Sequence, residues 1–440
     1  MPEITPVHVD ACALTSGSST RDTIVVALGE SVDLVDPPVP RSPAERLLYR
    51  HLYQTLIDVD CLGEVTPGLA ESWAVHEDAR TWTFTLRSDA TFWDGTPVTA
   101  ASVRASWLTE VPGRVVPWAD SVAGSVLAIG QRALTVRLRR PYQEVPRVFA
   151  DPTLAVARAA DTLGAIPLGS GTYHVTEHGV GEIRVAPLGA VRSDELPVLR
   201  FLDTGDDPRD AIDRGVDLLV SREPIVVDYV AGMDGLRALP LPWGPVYVLA
   251  TPLRLGVEGA RGDEGTLAEV LGPGVVPAET RLPETSVWWD DFNACRLMTS
   301  FSAPPDPGGI AGRVVYRRVD PVARALAERL VALAASGALP QVTDIPERLT
   351  AIGLSDERFA ASLADGRDLG FVFTLPKQVL DGCAMIRPLR DAMPWAVASE
   401  LRHVLVPLVE SRSQLIVSQE VGTVVVDWGG LPYLSVVAGH

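Results

Sequence analysis

Lysine is almost missing from this chain of 440 residues: the 38 Lys+Arg positions include one lysine, Lys377. A nucleotide-binding P-loop needs Gly-Lys-Ser/Thr, and Lys377 stands in Leu-Pro-Lys-Gln, so that phosphate site is excluded. Schiff-base chemistry would rest on the same residue. The four cysteines, Cys12, Cys61, Cys295 and Cys383, supply no Cys-x-x-Cys pair for zinc or redox work. Isolated cysteines of this kind serve as small buried core residues or, in an oxidising compartment, as one or two disulfides. No run approaches the roughly 18 consecutive apolar residues of a membrane span. The start, Met-Pro-Glu-Ile-Thr-Pro-Val-His-Val-Asp-Ala-Cys, lacks a basic n-region and an apolar h-region. As written, the chain carries no secretory signal. Gly-x-Ser-x-Gly and Gly-x-Gly-x-x-Gly are absent too, which leaves hydrolase and dinucleotide readings without a motif.

What is present is acid and apolar mass. The net charge of −18 argues against a nucleic-acid partner, whose phosphates demand a basic stripe. Hydrophobic residues make up 47% and charged residues 21%, enough to build a large core rather than a disordered chain. At roughly 100–200 residues per domain the length suggests two or three domains.

Along the chain, residues 13–22 are small and polar and read as a flexible leader. Thr23-Ile-Val-Val-Ala-Leu predicts a strand covered on both faces. Pro43-Ala-Glu-Arg opens a helix with Leu48, Leu52 and Leu56 on one side. Alternation over 80–92 predicts a half-buried antiparallel strand, Asp94-Gly95 a hairpin turn, and Thr99 the cap of a helix carrying Val103, Trp107 and Leu108. Asp207-Pro208 and Asp320-Pro321 are capped helix starts, the second aligning Val322, Leu326, Leu330 and Leu333. Val246–Ala250 is a strand; Pro394–Ser411 reads as a helix broken at Pro407, and 414–426 as a valine-rich strand. The pattern is mixed α/β rather than a regular βαβ series.

Several motifs spell chemistry, each with a plainer explanation. Asp203-Thr204-Gly205 is the aspartic-protease triplet, but that reaction needs two carboxylates sharing a proton, and no second Asp-Thr/Ser-Gly occurs. A turn into the Asp207-capped helix explains it. His174-Val-Thr-Glu177-His178 matches an inverted zincin pattern, which works only on a helix. Flanking Gly-Thr-Tyr and Gly-Val-Gly fit a hairpin instead, so no metal is expected there. Ten tryptophans say more. Trp118, Trp243, Trp288, Trp289 and Trp395 all stand beside turn-forming residues, where rigid rings line clefts or plug a core edge.

From Glu45 to Trp107 the chain runs through Pro67-Gly-Leu-Ala-Glu-Ser-Trp73, Thr81-Trp-Thr-Phe-Thr-Leu-Arg87 and Phe92-Trp-Asp-Gly-Thr-Pro-Val-Thr99. This stretch resembles the family 5 extracellular solute-binding proteins, the oligopeptide, dipeptide and nickel receptors of ABC importers. Weaker echoes lie at Thr23–Leu28 with Val35-Asp-Pro, at Gly169-Ser-Gly-Thr-Tyr173, at Asp210–Asp217, and in Val314-Val-Tyr with the 320–336 helix. The resemblance implies a two-lobed, periplasmic-binding-protein-like α/β fold (type II, class C) whose lobes close over a ligand. The first lobe would gather 23–50, 150–250 and 413–440 behind the 1–22 leader, with 51–149 as its accessory subdomain and 251–412 as the second lobe. By the same resemblance Trp118, Trp243 and Tyr247 touch ligand.

Departures shape the expected ligand. Peptide receptors of the family carry an acid in a distal-lobe strand that pairs with the peptide's amino terminus. Here the matching place reads Leu369-Gly-Phe-Val-Phe-Thr-Leu-Pro376, without one. An unpaired ammonium in a closed cleft costs several kcal/mol, so an apolar or aromatic ligand is expected, held by Trp118, Trp243, Trp288, Phe371 and Phe373. Trp289 and Trp395 extend that set, and Asp290 is the candidate for a ligand cation. Ala11-Cys12 followed by small polar residues looks like the remnant of a lipoprotein junction. The leading reading is a solute-binding protein or a descendant of one, a monomer, without metal or cofactor, with an ABC importer permease as the implied partner. It is cytoplasmic as the chain stands, or periplasmic or cell-surface if the true start lies upstream. The rival is a cytoplasmic enzyme that reuses the scaffold to fold or cyclise a hydrophobic substrate, with Asp290 or His403 moving a proton. An intracellular ligand sensor is a third reading, unaccompanied by a helix-turn-helix.

Overall fold

The computed structural model describes residues 12–15, 21–32, 34, 40, 42–61, 64–108, 122–138, 141–142, 145, 147–159, 166–189, 196–204, 207–221, 223–241, 246–251, 311–336, 348–365, 367–375, 404–410 and 413–434. Two compact units emerge, Met1–Pro242 with Ser413–His440, and Trp243–Arg412. The first begins with β1 (Ala13–Thr15), β2 (Thr23–Leu28), α1 (Pro43–Leu52), β3 (Ile57–Val59), β4 (Val65–Pro67), β5 (Ala70–Val75) and β6 (Thr81–Leu86). Helix α2 (Ala100–Leu108) precedes β7 (Val122–Ile129), β8 (Ala133–Leu138), β9 (Ala157–Arg158) and β10 (Leu168–Gly169). Then come β11 (Tyr173–Gly179), β12 (Glu182–Pro187), β13 (Val198–Asp203), α3 (Pro208–Asp213), β14 (Leu218–Ser221), α4 (Pro224–Ala231) and β15 (Leu236–Pro240). The second unit contributes β16 (Val246–Thr251), β17 (Ala311–Arg317), α5 (Pro321–Ala335), β18 (Thr350–Leu354), α6 (Asp356–Asp365), β19 (Asp368–Leu375) and β20 (Val404–Glu410). The chain returns to the first unit through β21 (Gln414–Ser418), β22 (Thr423–Val426) and β23 (Pro432–Tyr433).

In the first unit a seven-stranded sheet runs β11-β12-β13-β2-β14-β21-β15. The apolar strand β2 lies inside it, parallel to both β13 and β14, as its unbroken hydrophobic run requires. Helix α1 starts where Ser42 accepts the Glu45 N–H at 3.1 Å, with Pro43 in the first turn. It ends at Leu52, because Tyr53 is already extended; Leu56 is buried beyond the helix rather than on its face. A second, antiparallel sheet runs β5-β6-β8-β7. On β6, Trp82, Phe84 and Leu86 are buried while Thr81, Thr83 and Thr85 turn outward, the alternation expected of a half-covered strand.

Three expectations change. Residues 13–15, read as part of a flexible leader, form β1, paired antiparallel with β22 through Ala13↔Val425 to Thr15↔Thr423. A partner 408 residues away in sequence supplies what local composition could not show. The 404–410 stretch is a strand, not a helix. Val404, Val406 and Val409 favour the pleated form, and β20 pairs with β16. The register slips where Tyr247 faces Val409 and Val248 faces Pro407, a bulge that accommodates a residue without an N–H. The 414–426 run is two strands in two different sheets, turned at Gly422 with φ +83°.

The second unit holds one five-stranded sheet, β18-β17-β19-β16-β20. Helix α5 packs on one face through Ala323, Leu326, Ala327 and Leu330 against Val314, Tyr316, Leu249 and Val372. Among the described residues no helix is long and apolar enough to cross a membrane.

Candidate functional site

The signature residues serve as scaffold. At Asp94 the carboxylate accepts the Thr96 N–H at 3.0 Å and the Thr96 hydroxyl at 2.6 Å, and Arg158 pairs with its other oxygen. The Thr96 bonds foremost, then Arg158, hold the carboxyl down to about 2. Arg158 also reaches Thr96 Oγ1 at 2.7 Å and lies over the Phe92 ring. Thr99 accepts the Ser102 N–H at 3.1 Å and so caps α2, whose Trp107 donates its indole N–H to the Leu154 carbonyl at 2.8 Å. Gly169 sits where a Cβ would come within 2.1 Å of the Leu52 oxygen and 2.5 Å of the Trp93 ring. These motifs knit the first unit together; none offers a reacting group.

Of the nine expected ligand contacts, Tyr247, Phe371 and Phe373 are described, and all three are buried. Tyr247 on β16 donates its hydroxyl to Asp320 Oδ1 at 3.2 Å. That oxygen also accepts the Val322 and Ala323 N–H groups at 3.1 and 2.9 Å, capping α5. Phe371 and Phe373 meet Phe359 of α6 edge-on, with centroids 5.9 and 6.0 Å apart. Strand register separates the two groups. Tyr247 pairs with Thr374 and Val248 with Phe373, so Tyr247 points to the α5 face and both phenylalanines to the α6 face. These three rings do not share a surface. Trp118, Trp243, Trp288, Trp289, Asp290 and Trp395 lie outside the described residues, as does His403.

Strand β19 begins one residue earlier than the acid-free stretch read from sequence, at Asp368. That carboxylate is 1% exposed, accepts Arg313 Nε at 2.5 Å, and takes the Ser362 hydroxyl on its other oxygen. Its bonding is internal to the unit. His174, Glu177 and His178 fall on β11, in a hairpin with β12 that shifts register between Val175 and Glu177. Among the described residues no cluster of three or more metal-ligating side chains occurs.

Residues 64–186 match the family model for bacterial extracellular solute-binding proteins, family 5, middle region. The chain is 40% identical over 161 residues to the periplasmic oligopeptide-binding protein OppA of Escherichia coli K12, a stretch covering 32% of this chain and 30% of that protein. The fold matches the solved murein tripeptide binding protein MppA of Escherichia coli with a TM-score of 0.59 at 14% identity, covering 94% of this chain and 98% of that one. It also matches the A. tumefaciens R10 binding protein AgaA, solved with agropinic acid, with a TM-score of 0.62 at 16% identity, covering 90% and 93%. The chain is similar to the family 5 solute-binding proteins. Its α/β fold is that of the periplasmic binding proteins.

In this family 5-like chain, sequence reasoning left open which cysteines pair and passed over a buried cluster on α1. Cys12 and Cys61 form a disulfide. On α1, the neighbours Arg50 and His51 hold the C-terminal segment. Arg50 pairs with Asp58 at 2.6 Å and Asp427 at 3.9 Å, and covers the Tyr433 ring at 4.5 Å from its centroid. Burial pushes the Asp427 carboxyl up against the opposing pull of Arg50. His51 Nδ1 donates to the Leu47 carbonyl at 2.9 Å while Nε2 accepts the Leu434 N–H at 3.3 Å, which requires the neutral ring. Burial lowers this imidazole to about 4.

Proposed function

We propose that the chain is a ligand-binding receptor of the ABC-import kind, which binds a small organic solute with apolar or aromatic groups. The observation that carries this reading is the agreement of fold over nine-tenths of the chain with solved periplasmic receptors, anchored by the 64–186 family match. Matched relatives are named for oligopeptide, murein peptide and nickel binding, and AgaA was solved with agropinic acid. Of these classes, peptides and small organic acids suit the aromatic set proposed here. Asp368, engaged by Arg313 and Ser362, supports a ligand that does not rely on a β19 carboxylate for an α-amino group. In this proposal Trp118, Trp243, Trp288, Trp289 and Trp395 supply stacking surface and Asp290 meets a ligand cation. An importer permease is the proposed partner. No observation favours the enzymatic alternative.

Tryptophan fluorescence tests the reading, titrated with aromatic dipeptides and tripeptides and with opine-type acids. At least one class should saturate the signal, and Trp118→Ala should weaken that binding by about tenfold or more. Unchanged affinity in Trp118→Ala would remove this residue from the binding surface.

A further inference from the structure

We propose that the Cys12–Cys61 bond is a clasp closed in an oxidising compartment, and that it locks β1 and the β22–β23 segment to β3. The inference goes beyond ligand binding and does not depend on what the chain binds. The two Cα atoms lie 5.4 Å apart, in the range of natural disulfides, and Cys12 and Cys61 are 4% and 1% exposed. The bond stands at the seam between two sets of pairings. On one side the Cys12 carbonyl accepts the Val426 N–H at 2.9 Å, and β1 continues along β22, which in turn pairs with β23. On the other side Asp60 bridges to Asp427, and the Trp428 N–H reaches the Val59 carbonyl at 3.4 Å. The three-stranded sheet β1-β22-β23 thus meets β3 through one covalent bond, a few main-chain contacts and Arg50, which reaches both Asp58 and Asp427. A three-residue strand such as β1 cannot hold an edge by its ladder alone.

Closure takes two thiols and an oxidant of the disulfide class. The thiolate of one cysteine attacks the oxidant's disulfide to give a mixed disulfide. The second thiolate displaces it, so that Cys12–S–S–Cys61 forms and the oxidant leaves as its dithiol. The reducing cytosol opposes this exchange, whereas extracytoplasmic compartments favour it. A sulfur committed to this bond is not available for a lipid thioether, so Cys12 is a structural cysteine rather than a lipoprotein anchor.

Peptide mapping tests the bond on protein taken from its own cells, with thiols alkylated in denaturant before digestion. The expected result is one linked pair of peptides carrying Cys12 and Cys61, separated only by reductant. An alkylated Cys12 or Cys61 before reduction, or a lipid thioether on Cys12, overturns the proposal. Hydrogen exchange tests the clasp. Amides of Ala13–Thr15 and Thr423–Val426 should exchange about tenfold faster or more in Cys12→Ala/Cys61→Ala, with β12 and β13 unchanged. The same comparison on wild-type protein reduced with dithiothreitol serves should the variant fail to fold. Equal exchange with and without the bond overturns the clasp.

Discussion

At the scale of single residues, His51 makes the sharpest demand on solution conditions. Its folded-state value of about 4 lies below the ordinary 6.5. Between these the unfolded chain binds a proton that the folded chain refuses, so stability is full above pH 6.5 and falls as pH drops toward 4. The shift corresponds to about 3 kcal/mol. Urea unfolding across pH 4 to 8 should show this slope, and His51→Gln should flatten it while lowering stability at pH 7 by about 1–3 kcal/mol. Gly169 and Gly29 form a second pair of expectations. Gly169→Ala drives a Cβ into the Leu52 carbonyl and the Trp93 ring and should cost about 3 kcal/mol. At Gly29, where nothing lies within 4 Å, alanine should stay within about 0.5 kcal/mol by the same denaturation assay. Sequence showed Gly169 through its motif but passed over His51, whose partner Leu434 is 383 residues away. The placement of the expected ligand rings was hidden for a related reason. Aromatic identity was legible at Tyr247, Phe371 and Phe373, but the face each occupies follows from the register of β16 on β19.

At the scale of elements, local chemistry was legible and long-range pairing was not. Asp207-Pro208 and Asp320-Pro321 read as helix starts and are, because a cap and its amides lie within three residues; at Pro43 the structure adds Ser42 as the cap. Pro394–Ser411 reads as a Pro-broken helix, and the strand Val404–Glu410 emerges only from its pairing with β16. Asp320 joins both levels, since it caps α5 and also receives the Tyr247 hydroxyl. Asp320→Ala should therefore destabilise by about 2 kcal/mol and Tyr247→Phe by about 1 kcal/mol. The double variant should fall short of the sum by about 1 kcal/mol, since both remove one shared contact. Strict additivity in denaturant midpoints would mean that the two residues act independently.

At the scale of the molecule, the resemblance was legible because its motifs lie in one continuous stretch, from Glu45 to Trp107. The Asp94-Gly95-Thr96 turn, Thr99 and Trp107 each make main-chain or charge-assisted bonds within the first unit. The clasp was illegible, since Cys12 and Cys61 are 49 residues apart without a spacing motif. Closing a loop of that length should contribute about 4 kcal/mol, so Cys12→Ala/Cys61→Ala should unfold at correspondingly lower urea. The proposed ligand contacts Trp118, Trp288 and their companions lie outside the described residues. The most direct test of the receptor reading is to identify by mass spectrometry what purified protein releases on denaturation, then return that compound to ligand-free protein and follow melting. The account predicts an organic compound with apolar or aromatic groups that raises stability by about 2.7 kcal/mol at a hundredfold excess over its Kd. A protein that releases nothing, and whose melting no peptide, opine or aromatic acid shifts, would contradict it.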